Sequence, residues 1–329
     1  MSTIQSTMVR AIGLPAALVM LLLAAMSGAN AQYPSRPIRL MIMTQPGGAP
    51  DIIGRLLATR FTERFGQPVV VENRAGSNGN LAGEAVAKAP ADGYTLLMAH
   101  DALFSISPHI YPQMGFDPNR DLVPVASIAI QDFVFAVNPS LPVKSLAEFI
   151  EFARKARPPL AYASAGSGTQ QHLAMELFKS RSGLDMTHVP YKGGAGAATA
   201  MVAGDTLVTI GGSTLEPQIR AGRLRALATT GPDRAENYPG LPAVAETYPG
   251  YAVSVWIGLF APTGTPADTI TRLRGEIERF LADSTSRQRL YSGGGMVPHM
   301  LAPDALAASM RRDFDTYGKL IRSIDLKAD

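Results

Sequence analysis

Cysteine is absent from all 329 residues, which excludes disulfide staples, thiolate metal sites, cysteine nucleophiles and lipid attachment through cysteine. A dominant charge of one sign is lacking too. The 30 basic and 27 acidic side chains leave only +3, dispersed along the chain, which argues against a nucleic-acid surface. Histidine is scarce: His100, His109, His172, His188 and His299 are scattered without metal-ligand spacing, so neither metal nor other cofactor is expected. The Gly-x-Ser-x-Gly elbow of serine hydrolases is missing, and no serine stands in an evident pairing with a base, so no enzymatic activity is expected. There is no Walker loop, because no Gly-Lys-Ser/Thr follows a glycine turn, and no complete dinucleotide fingerprint.

One long apolar run is present, Ala11 to Ala25, preceded by Arg10 and followed by Ala29-Asn30-Ala31. A basic start, a short apolar stretch and an Ala-x-Ala ending predict a secretory signal over residues 1–31, leaving Gln32 first in the exported chain. The run is shorter than the roughly 20 residues that a spanning helix needs. Removing 1–31 takes away Arg10 and no acid, so the net charge falls from +3 to +2.

The exported part alternates short β-type runs with helical periodicity, which predicts an α/β fold with mainly parallel sheets flanked by helices, because parallel neighbours need a crossover. Ile38–Met43 reads as a strand, Asp51–Phe65 as a helix with Ile52, Ile53, Leu56, Leu57, Phe61 and Phe65 at helical spacing, and Val69–Val71 as a second strand. Asn73–Asn80 reads as a Gly/Asn loop, Leu81–Lys88 as a helix and Tyr94–Ala99 as a third strand. Two consecutive β-type runs, Val123–Ile130 and Phe133–Val137, mark a crossing into a second lobe. Ser145-x-x-Glu148 is a capping box that opens a helix to about Lys155. Strands Leu160–Ala163, Thr187–Pro190, Leu207–Ile210 and Leu224–Thr230 then alternate with helices Thr169–Ser180, Ala195–Ala203 and Glu216–Ala221. Tyr251–Phe260 crosses back. Thr265 as N-cap with Pro266 at the first helical position opens one late helix, and Pro303 opens the last. The expected division is 32–130 plus 252–329 for one lobe and 131–251 for the other.

Two strand-to-helix turns carry the chemistry. Thr44-Gln-Pro-Gly-Gly-Ala-Pro-Asp51 and Ser164-Ala-Gly-Ser-Gly-Thr169 both break into small residues before a helix opens. Glycine lets the backbone approach a ligand, and the free N–H groups of a helix start favour an anion there. The second turn reads equally as a plain loop whose Ser and Thr cap the helix. Asp51 reads first as an acid favoured by the helix dipole, and as a ligand contact only if the ligand carries an amine. His100 follows an apolar strand and so falls at the same edge as the first turn, where open α/β sheets bind ligands.

Tyr33-Pro-Ser-Arg-Pro-Ile-Arg39, Pro-Gly-Gly-x-x-Asp51, Gly66-Gln-Pro-Val-Val-Val-Glu-Asn-Arg74, Ala91-Asp-Gly-Tyr-Thr-Leu-Leu97, His188-Val-Pro-Tyr-Lys-Gly-Gly194 and Ala261-Pro-Thr-Gly-Thr-Pro266 occur in order along the exported chain. Together they resemble the Bug (TctC-like) solute-binding proteins of tripartite tricarboxylate transporters. The resemblance implies a periplasmic, monomeric binding protein of the two-lobed Venus-flytrap type (type II). It would close on a small organic carboxylate and deliver it to membrane permease subunits. A sensor subunit for a membrane signalling protein shares the same features, and a secreted enzyme acting on a carboxylate is the remaining alternative. The implied ligand contacts are Thr44, Gln45, Gly47, Gly48, Ala49 and Asp51 on the first turn. On the second they are Ser164, Ala165, Gly166, Ser167, Gly168 and Thr169, with Gly211 and Ser213 further on and His100 from the strand edge. Three positions depart from the family: Thr44 replaces an aromatic residue, Pro50 a Ser or Thr, and Gly211-Gly212 an Asp-Asn type pair. These changes imply a wider or differently shaped pocket.

Overall fold

The first strand, β1 (Ile38–Ile42), is buried along almost its whole length, as expected of a strand covered on both faces. Its chain turns at Gly48 into the helix Ala49–Phe65, whose Ile53, Leu57 and Phe61 are at most 1% exposed. Gly54 lets this helix lie close on β1, since a Cβ there would run into the side chain of Ile42. Gly66 ends the helix in the left-handed region at φ 68°, which costs a glycine little. β2 (Val69–Asn73) and β3 (Thr95–His100) then pair in parallel on either side of β1. The structure, a computed structural model, describes residues 33–324 and Leu326; the expected signal segment lies outside the described residues. The described residues from Arg36 onward form one unit by backbone contacts.

β4 (Leu122–Asp132) runs toward the second lobe, and β5 (Val134–Val137) begins there after the single residue Phe133. The second lobe adds β6 (Leu160–Ser164), β7 (Met186–Pro190), β8 (Val208–Gly211) and β9 (Arg225–Thr229). β10 (Ser254–Pro262) returns to the first lobe, where β11 (Val297–Pro298) completes the edge. The strand orders are β11-β4-β10-β3-β1-β2 and β7-β6-β8-β5-β9.

Both sheets are mixed, which refines the expectation of mainly parallel pairing. Parallel pairs join β2-β1-β3 and β7-β6-β8, but β10 pairs antiparallel with β3 and β4, and β5 pairs antiparallel with β8 and β9. The reason is topological. A strand that enters a lobe from the other one starts at the edge where the parallel strands end, so it runs the opposite way. At the crossing the two connections are tied together: Thr230 Oγ1 accepts from Phe133 N at 2.9 Å and donates to Val253 O at 2.6 Å.

The second lobe is built around Phe135, which meets Phe149 and Phe178 at ring-centroid distances of 4.9 Å. In the first lobe Leu97, Phe104, Trp256 and Phe260 share one core cluster. Each such side chain contributes roughly 1.5–3 kcal/mol when fully buried. A third cluster joins the lobes, with Leu173 of the second lobe packed among Ala102, Ile106, Ile110 and Ile321.

Most helices begin within two residues of their expected positions. The Ser145 hydroxyl caps Glu148 N at 3.2 Å, as the capping box predicts. Thr265 does not cap the late helix: it donates to Pro262 O at 2.7 Å, and the helix Ala267–Ala282 starts after Pro266 as N-cap. The helix Ser284–Ser292 was not expected, since its single buried residue, Leu290, gives no apolar periodicity; Asp283 caps it through Ser286 N.

Candidate functional site

A cavity of about 540 Å³ lies between the lobes, and four helices start on its wall. Ala49–Phe65 begins there at Gly48, Asn80–Ala87 at Gly79, Gln170–Ser182 at Thr169, and Gly194–Ala203 at Gly193. Each follows a parallel strand, β1, β2, β6 and β7 in turn, so the convergence comes from strand polarity. Free N–H groups and helix dipoles from two turns in each lobe therefore meet in one space, which favours a bound anion. Among the described residues no aspartate or glutamate lines the cavity, and Lys192 is the one lysine or arginine on its wall. The floor comes from the crossing strands, with Gln131, Phe133, Val255 and Ile257.

Of the first turn, Thr44, Gln45, Gly48 and Ala49 are on the wall, as is His100; Gly47 and Asp51 are not. Asp51 is 4% exposed and accepts hydrogen bonds from Gly47 N (3.0 Å), Asn73 Nδ2 (2.8 Å) and Arg55 Nε (3.0 Å). Burial opposes its charge, but these bonds outweigh it and hold the carboxyl below the usual aspartate range. Its observed role is to brace the turn. Gly47, at φ 85°, supplies the bend. Thr44 Oγ1 and His100 Nδ1 are buried polar atoms without a hydrogen-bond partner among the described residues. Burial lowers the His100 pKa to about 4, so its imidazole is neutral at pH 7.

Of the second turn, Ala165, Gly166, Ser167 and Thr169 line the cavity, whereas Ser164 and Gly168 lie outside it. Gly168 is pressed against Ile110 of the first lobe, where no side chain fits. Thr169 caps its helix through His172 N (3.4 Å) and donates to Gly166 O (2.8 Å). Beneath the turn His172 and His188 stack at 3.7 Å with ring planes 15° apart. Gly168 N donates to His172 Nδ1 at 3.1 Å, which requires that nitrogen to be unprotonated.

The fold also brings Ser164 Oγ to 2.6 Å from His188 Nε2, a serine–base pairing that the sequence reading did not find. It does not form an accessible nucleophile. Ser164 is 0% exposed, lies off the cavity wall, and its hydroxyl also accepts from Gly166 N at 3.1 Å.

Ser213 is on the wall and donates to Gly47 O across the cleft at 3.4 Å; Gly211 ends β8 against Leu215 and is not on the wall. Gly212, next to it, is on the wall, and a side chain there would strike Gln131 and Phe133. Residues missed in the sequence include Gln131, Phe133, Val255 and Ile257, the loop Ser77–Gly79, and the Lys192-Gly193-Gly194 turn. The last carried a legible signal, since it too sets glycines between a strand and a helix.

The family model described as "Tripartite tricarboxylate transporter family receptor" matches residues 53–326. Protein BugT of Bordetella pertussis is 35% identical over 300 residues, spanning 90% of this chain and 91% of that protein. A UPF0065 protein from the tcbD-tcbE intergenic region of a Pseudomonas species is 36% identical over 305 residues, spanning 90% and 89%. Among solved structures, Rpa4515 of R. palustris with adipate is similar at TM-score 0.86 and 33% identity, covering 90% of this chain and all of that one. MatC of Rhodopseudomonas palustris with bound malate is similar at TM-score 0.80 and 28% identity, covering 88% of this chain and all of that one. With a match across most of its length, the chain belongs to the tripartite tricarboxylate transporter receptor family.

Proposed function

We propose that this protein is an exported, periplasmic solute-binding protein that captures a small organic carboxylate between its lobes and delivers it to the membrane permease of a tripartite tricarboxylate-type transporter. In this reading residues 1–31 are a signal peptide, 32–130 plus 252–329 one lobe and 131–251 the other, and the monomer works without a cofactor. The observation that carries it is the convergence of four helix starts on an interlobe cavity whose wall, among the described residues, holds no acidic side chain. Oriented backbone N–H groups stabilise a carboxylate with little reorganisation, so no ion pair is required. Adipate and malate in two similar structures support the same ligand class.

Binding starts at one lobe, and closure follows to the extent that the ligand also contacts the second. The contacts assigned to it are backbone groups of Gln45, Gly48 and Ala49 from the first lobe and of Ala165, Gly166, Ser167 and Thr169 from the second. Thr44, His100 and Ser213 add side-chain groups around them. No chemical step is assigned, since the one serine–histidine pairing at the site lies behind the wall. Thermal-shift screening of purified residues 32–329 against a panel of organic acids tests the reading. At least one carboxylate is expected to raise the melting temperature; stabilisation only by neutral or cationic solutes would reject the assignment.

A further inference from the structure

We infer that His172 is a positioning residue for the carboxylate site: its unprotonated Nδ1 holds the second turn from beneath, and a proton taken up there releases the turn and weakens ligand binding. This rests on the carboxylate reading above. Two side-chain acceptors lie under the turn, and each takes one backbone N–H inward. Gly166 N donates to Ser164 Oγ and Gly168 N to His172 Nδ1, both at 3.1 Å. Ser167 stands between these anchored residues, on the cavity wall. Fixing the chain on both sides of Ser167 sets where this part of the turn lies in the cavity. Gly168 is also wedged from the first lobe, where Ile110 leaves no room for a Cβ.

The two anchors answer a proton differently. Ser164 Oγ lies 2.6 Å from His188 Nε2 and 3.2 Å from Gly166 O. With a proton on His188 Nε2, that nitrogen donates to the hydroxyl, the hydroxyl donates to Gly166 O, and the bond from Gly166 N survives. His172 Nδ1 can serve Gly168 only as an acceptor. A proton there sets two donors face to face, so the bond must break. The charged groups around the ring come from its own helix: Glu176 Oε1 is 4.0 Å from His172 Nε2 and accepts from Lys179 Nζ at 2.7 Å. The carboxylate favours a charged imidazole, so the ring is open to titration, and Lys179 offsets part of that pull. From β6, Tyr162 donates to the same carboxylate at 2.6 Å, and from β7 the His188 ring stacks on His172 at 3.7 Å. A positive charge on one of these imidazoles opposes a charge on the other. The His172 side chain is 7% exposed, so water replaces the lost bond only if the turn moves.

Isothermal titration of residues 32–329 between pH 8 and pH 5.5, as wild type, His172→Asn and His172→Phe, tests this. The probe is whichever of benzoate, succinate, glutarate and citrate stabilises the protein most. Asparagine supplies an oxygen acceptor that takes no proton; phenylalanine keeps a ring in the stack and removes the acceptor. At pH 8 His172→Asn is expected to bind within about threefold of wild type and His172→Phe about tenfold or more weaker. Toward pH 5.5 wild type is expected to lose about tenfold relative to His172→Asn, a ratio in which the probe's own ionisation cancels. In the free protein the Gly168 amide resonance is expected to follow the titration of the His172 ring in wild type and to stay fixed in His172→Asn. Wild-type affinity in His172→Phe, equal pH profiles in wild type and His172→Asn, or a Gly168 resonance that ignores the ring would overturn the role of His172 and leave the carboxylate site intact. If none of the four acids binds while Gly168 follows the ring, the carboxylate reading fails and the positioning of the turn by His172 stands.

Discussion

At the scale of single residues, negative side-chain charge is kept off the cavity wall among the described residues. Asp51, the acid nearest the first turn, is turned inward and consumed by three hydrogen bonds, so its charge braces the loop without repelling an anion. His100 is kept neutral by burial, with a pKa of about 4. That value predicts a pH dependence of stability. Between pH 6.5 and about 4 the unfolded chain takes up a proton at His100 that the folded protein refuses, so stability falls as pH falls through that window. Chemical denaturation of His100→Gln at pH 7 and pH 5 is expected to give a smaller loss than wild type over the same step; equal losses would remove His100 as the source. The position of His100 at a strand end was readable in the sequence, but its neutrality was not, because burial depends on what the rest of the chain packs over it.

At the scale of elements, the recurring unit is a strand, a small-residue turn and a helix start, used four times around one cavity. Gly166 lies at φ 131°, a conformation that a β-branched residue adopts only under strain, and its missing Cβ would come within 3.4 Å of Tyr191 O. Gly166→Val is expected to cost about 1–3 kcal/mol of stability and to abolish carboxylate binding. Gly204→Ala supplies the control: Gly204 caps the far end of the helix Gly194–Ala203 at φ 87°, with nothing within 4 Å, so strain alone should lower the melting temperature without weakening the ligand. Binding by Gly166→Val at wild-type affinity would take this turn out of the site. Two of the four turns read as cradles in the sequence because their glycines are dense. Ser77–Gly79 read as a loop and Lys192-Gly-Gly only as a helix opening, since a helix start is local information and its aim is not.

Across the whole molecule, the lobes meet through a buried carboxyl group. Asp101 of the first lobe is 2% exposed and accepts from Nε2 of Gln170, the first helical residue of the second lobe's turn, at 3.1 and 3.0 Å. Burial, reinforced by the nearby charge of Asp313, pushes its pKa well above the usual value. The sign follows: above the ordinary aspartate pKa the unfolded chain releases this proton more readily than the folded one, so the stability Asp101 contributes at low pH is lost as pH rises. Asp101→Asn, which keeps an acceptor for Gln170, is therefore expected to melt higher than wild type at pH 8, with the difference shrinking toward pH 4. A difference that stayed constant across that range would show that the acid does not titrate as its surroundings require.

The sequence by itself determined the alternation of strands and helices, the absence of cysteine, and the glycine turns between strands and helices. These follow from periodicity, composition and allowed backbone angles, which are properties of neighbouring residues. Only the tertiary structure decided that the crossing strands run antiparallel to their partners, that Ser164 and His188 meet behind the wall, that Asp51 turns inward, and that Lys192 lines the cavity. Each of those depends on which distant segments share a volume and on how much water burial removes, and no local pattern encodes either quantity.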